Sequence, residues 1–229
     1  MPNHVANKLI LVGTNDEIVE VLKKIRGEGK DNYVEFNNII PMPPELHEVS
    51  SPVKIVTEAQ MAEEIAKAEE MKKNNPQMYD LIGRQHGITK KMQKEYLKKY
   101  GADNWYDFAC NNWGTKWGAY SQEAPVWGKE PDGRDNVTLY FETAWSTPLP
   151  IVEALSKMFP NIIMRIRWAD EDVSYNIGVI KFLDGKILEE IIPDGGTVEA
   201  YQLYFEMHPG YEENFVFENG TYVWKSEEE

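Results

Sequence analysis

Apolar positions along the chain first alternate as in a strand, then fall into helical spacing, and this exchange recurs after a long polar stretch. Residues 4–12 are apolar on both sides, Leu9 and Leu11 opposing Ile10 and Val12, as in a strand covered on both sides or at the sheet centre. Thr14 and Glu17 then form a capping box ahead of Ile18, Val21, Leu22 and Ile25, which share one helix face, and Gly27 and Gly29 end that helix. A second strand is predicted over 33–38. The prolines of residues 41–44 stop regular structure, and a polar, mostly helical segment follows. Its helices are predicted from Thr57, paired with Gln60 in another capping box, to about Lys73, briefly from Asn75–Pro76, and from Thr89 to Gly101. Beyond a loop predicted over 121–135, Val137, Leu139 and Phe141 alternate along a strand. Pro148 and Pro150 then open a helix bearing Ile151, Val152, Leu155, Met158 and Phe159, and Ile162, Met164, Ile166 and Trp168 alternate along the next strand.

Strand, helix, strand, twice over, predicts an α+β fold: a ferredoxin-like βαββαβ sandwich with both helices on one face and strands one and three at the sheet centre. Residues 1–168 form this core, with the helical insertion at about 42–120 between its two halves. Residues 169–229 read as an acidic, β-rich extension of the same sheet. Asp184–Gly185 and Asn219–Gly220 are hairpin turns joining 173–183 to 186–192 and 214–218 to 221–225, and a helix from about Thr197 to Met207 lies between them. Whether the last hairpin pairs on an edge or curls away is open at this level.

Residues 103–120 concentrate the unusual side chains, including three of the seven tryptophans and the single cysteine. Asp103 is a candidate N-cap, Trp105, Phe108, Ala109 and Asn112 fall on one helix face, and Tyr106, Cys110 and Trp113 fall on a neighbouring one. Gly114 suits a left-handed C-cap, and 115–120 then alternate as a strand would. The aromatics suit a core packing role. Lys116, flanked by Thr115 and Trp117, loses hydration unless it reaches a carboxylate, with Asp107 and Glu142 the candidates, or the anion of a ligand.

Four segments, MPNHVANKL (Met1–Leu9), IIPMPPEL (Ile39–Leu46), NWGTKW (Asn112–Trp117) and FETAWS (Phe141–Ser146), together resemble the YubB-type ferredoxin-like proteins over most of the chain. These are uncharacterised phage- and plasmid-borne bacterial proteins. The resemblance implies a ferredoxin-like fold and a mobile genetic setting, and it supplies no catalytic residue.

A hydrophobic content of 42% over 229 residues suffices for a core in one elaborated domain or two small ones. No apolar run approaches a membrane span, and the start lacks a leader pattern, so a bacterial cytoplasmic protein is expected. Cys110 has no internal disulfide partner, and its nearest histidine in sequence is His86, which favours a structural thiol over a nucleophile. His4, His47, His86 and His208 lack metal-ligand spacing, and no metal or cofactor is indicated.

Charge is uneven. Residues 169–229 hold 15 acidic and 3 basic side chains, a net of −12 out of the chain's −14. Residues 84–116 instead carry Arg84, Lys90, Lys91, Lys94, Lys98, Lys99 and Lys116 against Glu95, Asp103 and Asp107, a net of +4, beside Tyr96, Tyr100, Trp105 and Tyr106.

Three function classes follow. The favoured one is a non-enzymatic binding module that engages a host protein through an aromatic insertion surface made of Trp105, Tyr106, Asp107, Asn112, Trp113, Lys116, Trp117 and Tyr120, a composition common at interface hot spots. The second is nucleic-acid binding by the basic stretch, or mimicry of nucleic acid by the acidic C-terminal part. The third is an enzyme in which Asp107, Lys116 and Glu142 converge near Asn112. Oligomeric state is not set by the sequence, although the acidity of the C-terminal strands argues modestly against edge pairing.

Overall fold

The computed structural model describes residues 3–79 and 85–225; Arg84, counted above among the basic residues, lies outside them. In chain order the elements are β1 (His4–Gly13), α1 (Asn15–Ile25), α2 (Glu58–Asn74), α3 (Pro76–Met78), α4 (Lys90–Tyr100), α5 (Trp105–Asn112), β2 (Val126–Lys129), β3 (Asp135–Ala144), α6 (Leu149–Met158), β4 (Ile163–Asp170), β5 (Ile177–Leu183), β6 (Lys186–Ile191), α7 (Val198–Met207), β7 (Phe215–Glu218) and β8 (Thr221–Trp224). They divide into two units, one of residues 1–40 and 114–229, the other of Pro41–Trp113.

In the first unit a six-stranded antiparallel sheet runs in the order β2-β3-β1-β4-β5-β6. Its β1-α1-β2-β3-α6-β4 portion is the βαββαβ sandwich, with β3 and β1 central as right-handed crossovers require. The Thr14–Glu17 capping box forms as its spacing predicts: Thr14 Oγ1 accepts from the Glu17 N–H, and Glu17 Oε2 accepts from the Thr14 N–H at 3.1 Å. One sheet face lies under α1 and α6. There Leu9, Leu11, Leu139, Phe141, Met164 and Ile166 are buried with Ile18, Val21 and Ile25 of α1 and Ile151, Val152 and Leu155 of α6. Each such side chain contributes roughly 1.5–3 kcal/mol through burial. Gly178 belongs to this packing, because a Cβ there would stand 2.5 Å from the Trp168 ring.

The opposite face is partly covered by α7, whose Ala200 and Tyr204 are buried with Ala169 and Ile177. On this face of β1, His4, Ala6 and Lys8 stay half-buried, whereas Ile10 and Val12 are buried.

Several expectations about the strands and their connections are corrected. Residues 33–38 are no strand: the N–H groups of Tyr33 and Val34 both donate to Gln122 Oε1, at 2.8 and 2.7 Å, and Phe36–Asn38 close a 3₁₀ turn. The apolar alternation there marks buried anchors, with Phe36 fully buried and edge-on to Phe141 at 6.3 Å. The missing strand is β2, inside the stretch expected to be loop, and Gly133, at φ 90°, lies in the connection to β3. The insertion therefore lies between α1 and β2 in the chain, not between two complete halves.

The C-terminal residues also do not extend a single sheet. β5 and β6 join it through the Asp184–Gly185 turn, with φ values of 52° and 68°, but β7 and β8 form a sheet of their own. Aromatic contacts explain the separation: Tyr201 and Phe205 of α7 meet Phe215 and Tyr222 at 5.1–5.6 Å between ring centres and hold the hairpin to the helix.

In the second unit α2 and α4 begin at the predicted caps, Thr57 and Thr89, and α4 ends at Gly101, at φ 71°. The cap of α5 is Asn104, one residue later than expected. Its Oδ1 accepts from the Asp107 N–H at 2.9 Å, and its amide donates to Asp103 and Asp107. No helix among the described residues is long and apolar enough to cross a membrane.

Candidate binding surface

Gly114, at φ 77°, takes the left-handed conformation expected of it, and a Cβ there would meet Pro150 Cδ at 2.8 Å, so conformation and space both require glycine. The chain after it does not form the strand expected over 115–120. A side chain replaces the backbone ladder: Thr115 Oγ1 donates to the Ala144 carbonyl at 2.6 Å and accepts from the Ala144 N–H at 3.2 Å, and Ser146 Oγ donates to the Gly114 carbonyl. Backbone pairing resumes only at Tyr120, which exchanges two hydrogen bonds with Glu142.

Stapled in this way, Lys116 lies half-buried with its Nζ 4.8 Å from the ring centres of both Trp117 and Trp145. Among the described residues of its own unit no carboxylate stands within ion-pair distance of it, so the alternative of an ion pair with Glu142 is not formed. The indoles supply the attraction instead, through the negative faces of their rings. Both are themselves open to solvent, Trp117 at 38% and Trp145 at 42% exposure.

Trp145 has φ 74°, a conformation in which the Cβ of a bulky residue crowds the following carbonyl. Its backbone is pinned on both sides: its N–H donates to the Asn3 carbonyl at 2.9 Å, and Asn176 Nδ2 donates to its carbonyl at 2.9 Å. Behind these contacts the buried Asp170 carboxylate accepts from Asn3, Asn176 and the Asp172 N–H, at 2.7–3.0 Å. A buried charge with three donors is well satisfied and fixes its neighbours.

From Trp117 the strip continues to Tyr120, ring to ring at 6.2 Å, and then to His4, whose Nδ1 is 2.8 Å from the Tyr120 hydroxyl and 3.9 Å from Glu142. Burial, followed by the charges of Glu142 and Glu171, raises the Tyr120 phenol above its usual range. Further along the same sheet face, burial pushes Tyr204 up to about 12, with smaller contributions from Tyr211 and Asp170.

Burial also holds the His208 imidazole below its ordinary 6.5. Between that lowered value and 6.5 the unfolded chain binds more protons than the folded one, so stability falls as pH drops through this window. His208→Gln is expected to flatten the melting temperature against pH over about pH 7 to 5. A slope identical to wild type would show that the imidazole titrates alike in both states.

Of the residues singled out in the sequence, Lys116, Trp117 and Tyr120 belong to this surface, and Trp145, His4, Asn176 and Asp170 were not anticipated. Trp105, Tyr106, Asp107, Asn112 and Trp113 belong to the Pro41–Trp113 unit. Trp113 is buried edge-on to Phe108 at 6.3 Å, Asn112 donates back to the Phe108 carbonyl at 3.0 Å, and the Asp107 carboxylate takes the Asn104 amide. Trp105 packs edge-on to Tyr106, whose phenol is raised first by its hydrogen bond to the half-buried Cys110. On α4 the side chains of Lys90, Lys91, Lys94 and Lys98 are exposed, whereas Lys99 is held by Glu45 at 3.8 Å and by the Tyr100 ring at 4.6 Å. Tyr96 and Tyr100 face each other at 5.9 Å, which leaves less ring surface for stacking bases.

No curated protein sequence matches the chain. Among solved structures, the crystal structure of the protein Api92 from Yersinia pseudotuberculosis aligns with 86% of this chain and 99% of its own, at 11% identity and a TM-score of 0.45. Residues 116–209, which run from the Lys116 strip through α7, match the family described as the ferredoxin-like domain in Api92-like protein, and over that stretch the chain is similar to that domain.

Proposed function

We propose that the protein is a non-enzymatic binding module that engages a partner protein through the strip formed by Trp145, Lys116, Trp117, Tyr120 and His4. The observation that carries this reading is Trp145, an exposed indole on a left-handed backbone that hydrogen bonds hold in place against its own preference. Backbone strain of this kind costs on the order of 1–3 kcal/mol and persists where the surroundings over-determine it, which is characteristic of ligand clamps. Exposed tryptophans flanking a cation have the composition of interface hot spots, and a rigid mount lowers the entropy lost on association. The partner in this reading is a bacterial host protein, in the phage or plasmid setting implied by the YubB-type resemblance.

The test is capture from bacterial lysate by wild-type protein and by Trp117→Ala, checked for folding by circular dichroism. At least one protein held by wild type is expected to be lost from the variant. Identical sets on both would remove the strip from consideration.

A further inference from the structure

A cleft of about 430 Å³ opens on the second face of the sheet, between the His4–Ala6 end of β1 and α7. Its floor is set by register: Ala6 of β1 lies directly opposite Ala169 of β4, and two methyl groups side by side make a depression between longer neighbours. One wall is aromatic. Tyr204 lies 4.5 Å from His208 and 5.3 Å from Tyr211, ring centre to ring centre. The other is acidic. Glu142 pairs with Ala6 across the sheet, and Glu171, whose N–H donates to the His4 carbonyl, continues β4 on the same face, so both carboxylates border the cleft with His4. Glu142 exchanges two backbone hydrogen bonds with Tyr120, whose hydroxyl is 2.8 Å from His4 Nδ1. The His208 Nε2 is shielded from solvent and has no hydrogen-bond partner among the described residues. One row along the face, Lys8 lies over the Tyr140 ring at 5.7 Å and Arg167 Nη1 bonds Glu206 at 2.6 Å, so each of these two cations has a partner of its own.

Resting on the partner-binding reading, we infer that this cleft receives a basic side chain, an arginine, from the partner polypeptide. A guanidinium is flat enough to stack on the Tyr204–His208–Tyr211 wall while its N–H fork reaches the Glu142 and Glu171 carboxylates, and it is more weakly hydrated than an ammonium. The cleft volume lies within the range that accommodates a small ligand group. The C-terminal net charge of −12 draws cationic segments towards this part of the chain.

The experiment is a two-dimensional amide NMR titration of the full chain with acetyl-Gly-Arg-Gly-amide, with the same peptide carrying citrulline, and with free arginine. Signals of residues around Ala6, Glu171 and His208 are expected to move with the arginine peptide, and citrulline, isosteric but uncharged, is expected to bind at least tenfold more weakly. Glu171→Gln should weaken binding about five- to tenfold and Ala6→Leu, which fills the floor, should abolish it, with the spectra themselves reporting whether each variant is folded. Free arginine binding more tightly than the peptide would assign the cleft to a small metabolite and overturn a partner's side chain as the occupant. Equal responses to arginine and citrulline, or shifts confined elsewhere, would overturn the inference outright. If those shifts fail while Trp117→Ala still loses a captured protein, the cleft falls and the strip stands; the reverse pattern removes the strip and leaves the cleft.

Discussion

Replacing Gln122 by alanine is expected to lower stability by about 3 kcal/mol, a larger loss than an exposed loop residue ordinarily produces. This one side chain has five polar partners. Its Oε1 accepts from the N–H groups of Tyr33 and Val34 at 2.8 and 2.7 Å, and the two N–H bonds of its Nε2 are shared among Asn32 Oδ1, the Val34 carbonyl and the Ala119 carbonyl at 3.1–3.3 Å. The two short bonds from the Tyr33 and Val34 N–H groups, at about 1 kcal/mol each, and the further penalty of about 1 kcal/mol for leaving the N–H of Val34, whose residue is buried, without a partner make up the estimate, the longer Nε2 contacts being replaced by water. For a chain of this size the loss corresponds to roughly 10 °C in melting temperature. Gln122→Glu keeps an acceptor for both N–H groups but turns a second oxygen towards two carbonyls, so its melting temperature is expected to fall between those of wild type and the alanine variant. An unchanged melting temperature for Gln122→Ala would mean that water replaces the amide at no cost.

Gln122 also marks the limit of what the sequence discloses. Where local chemistry decides the outcome the structure follows the sequence: the capping boxes at Thr14 and Thr57, the helix stop at Gly101, the left-handed Gly114, and the Asp184–Gly185 and Asn219–Gly220 turns all depend on residues within four positions of each other. The ferredoxin-like strand order followed from periodicity because β1, β3 and β4 each bury an alternating face. Errors arose where a distant side chain outbid the backbone. Val34 and Phe36 alternate as a strand does, yet their segment is held by a residue 88 positions away. The exposed β2 has no buried side to betray it. At the surface, Lys116, Trp117 and Tyr120 were legible as unusual residues in a short span, whereas Trp145 entered only when β3 carried it to Lys116. Nothing in a sequence announces a tryptophan at positive φ, because its conformation is imposed by Asn3 and Asn176 from opposite ends of the unit.

That imposed conformation separates stability from function at a single position. Trp145→Gly removes the penalty for a Cβ in the left-handed region, about 1–2 kcal/mol, and loses about 0.4–1 kcal/mol through a more flexible unfolded chain, so its stability is expected to stay within about 1 kcal/mol of wild type. Trp145→Ala keeps the Cβ and with it the strain, and should be the less stable of the two by roughly 1 kcal/mol. An ordinary exposed position gives the opposite order, since alanine there is favoured over glycine. Binding should not follow stability. Both variants delete the indole that flanks Lys116 at 4.8 Å, and both are expected to lose the captured partner by about 30-fold, the consequence of removing a hot-spot contact of about 2 kcal/mol. Denaturant titrations beside partner-binding measurements resolve the two effects. Alanine as stable as glycine would show that residue 145 relaxes out of its left-handed conformation once the ring is gone. Full-strength binding by a folded Trp145→Gly would show that the strain serves the fold of the β3 end, with the strip's affinity resting on Trp117.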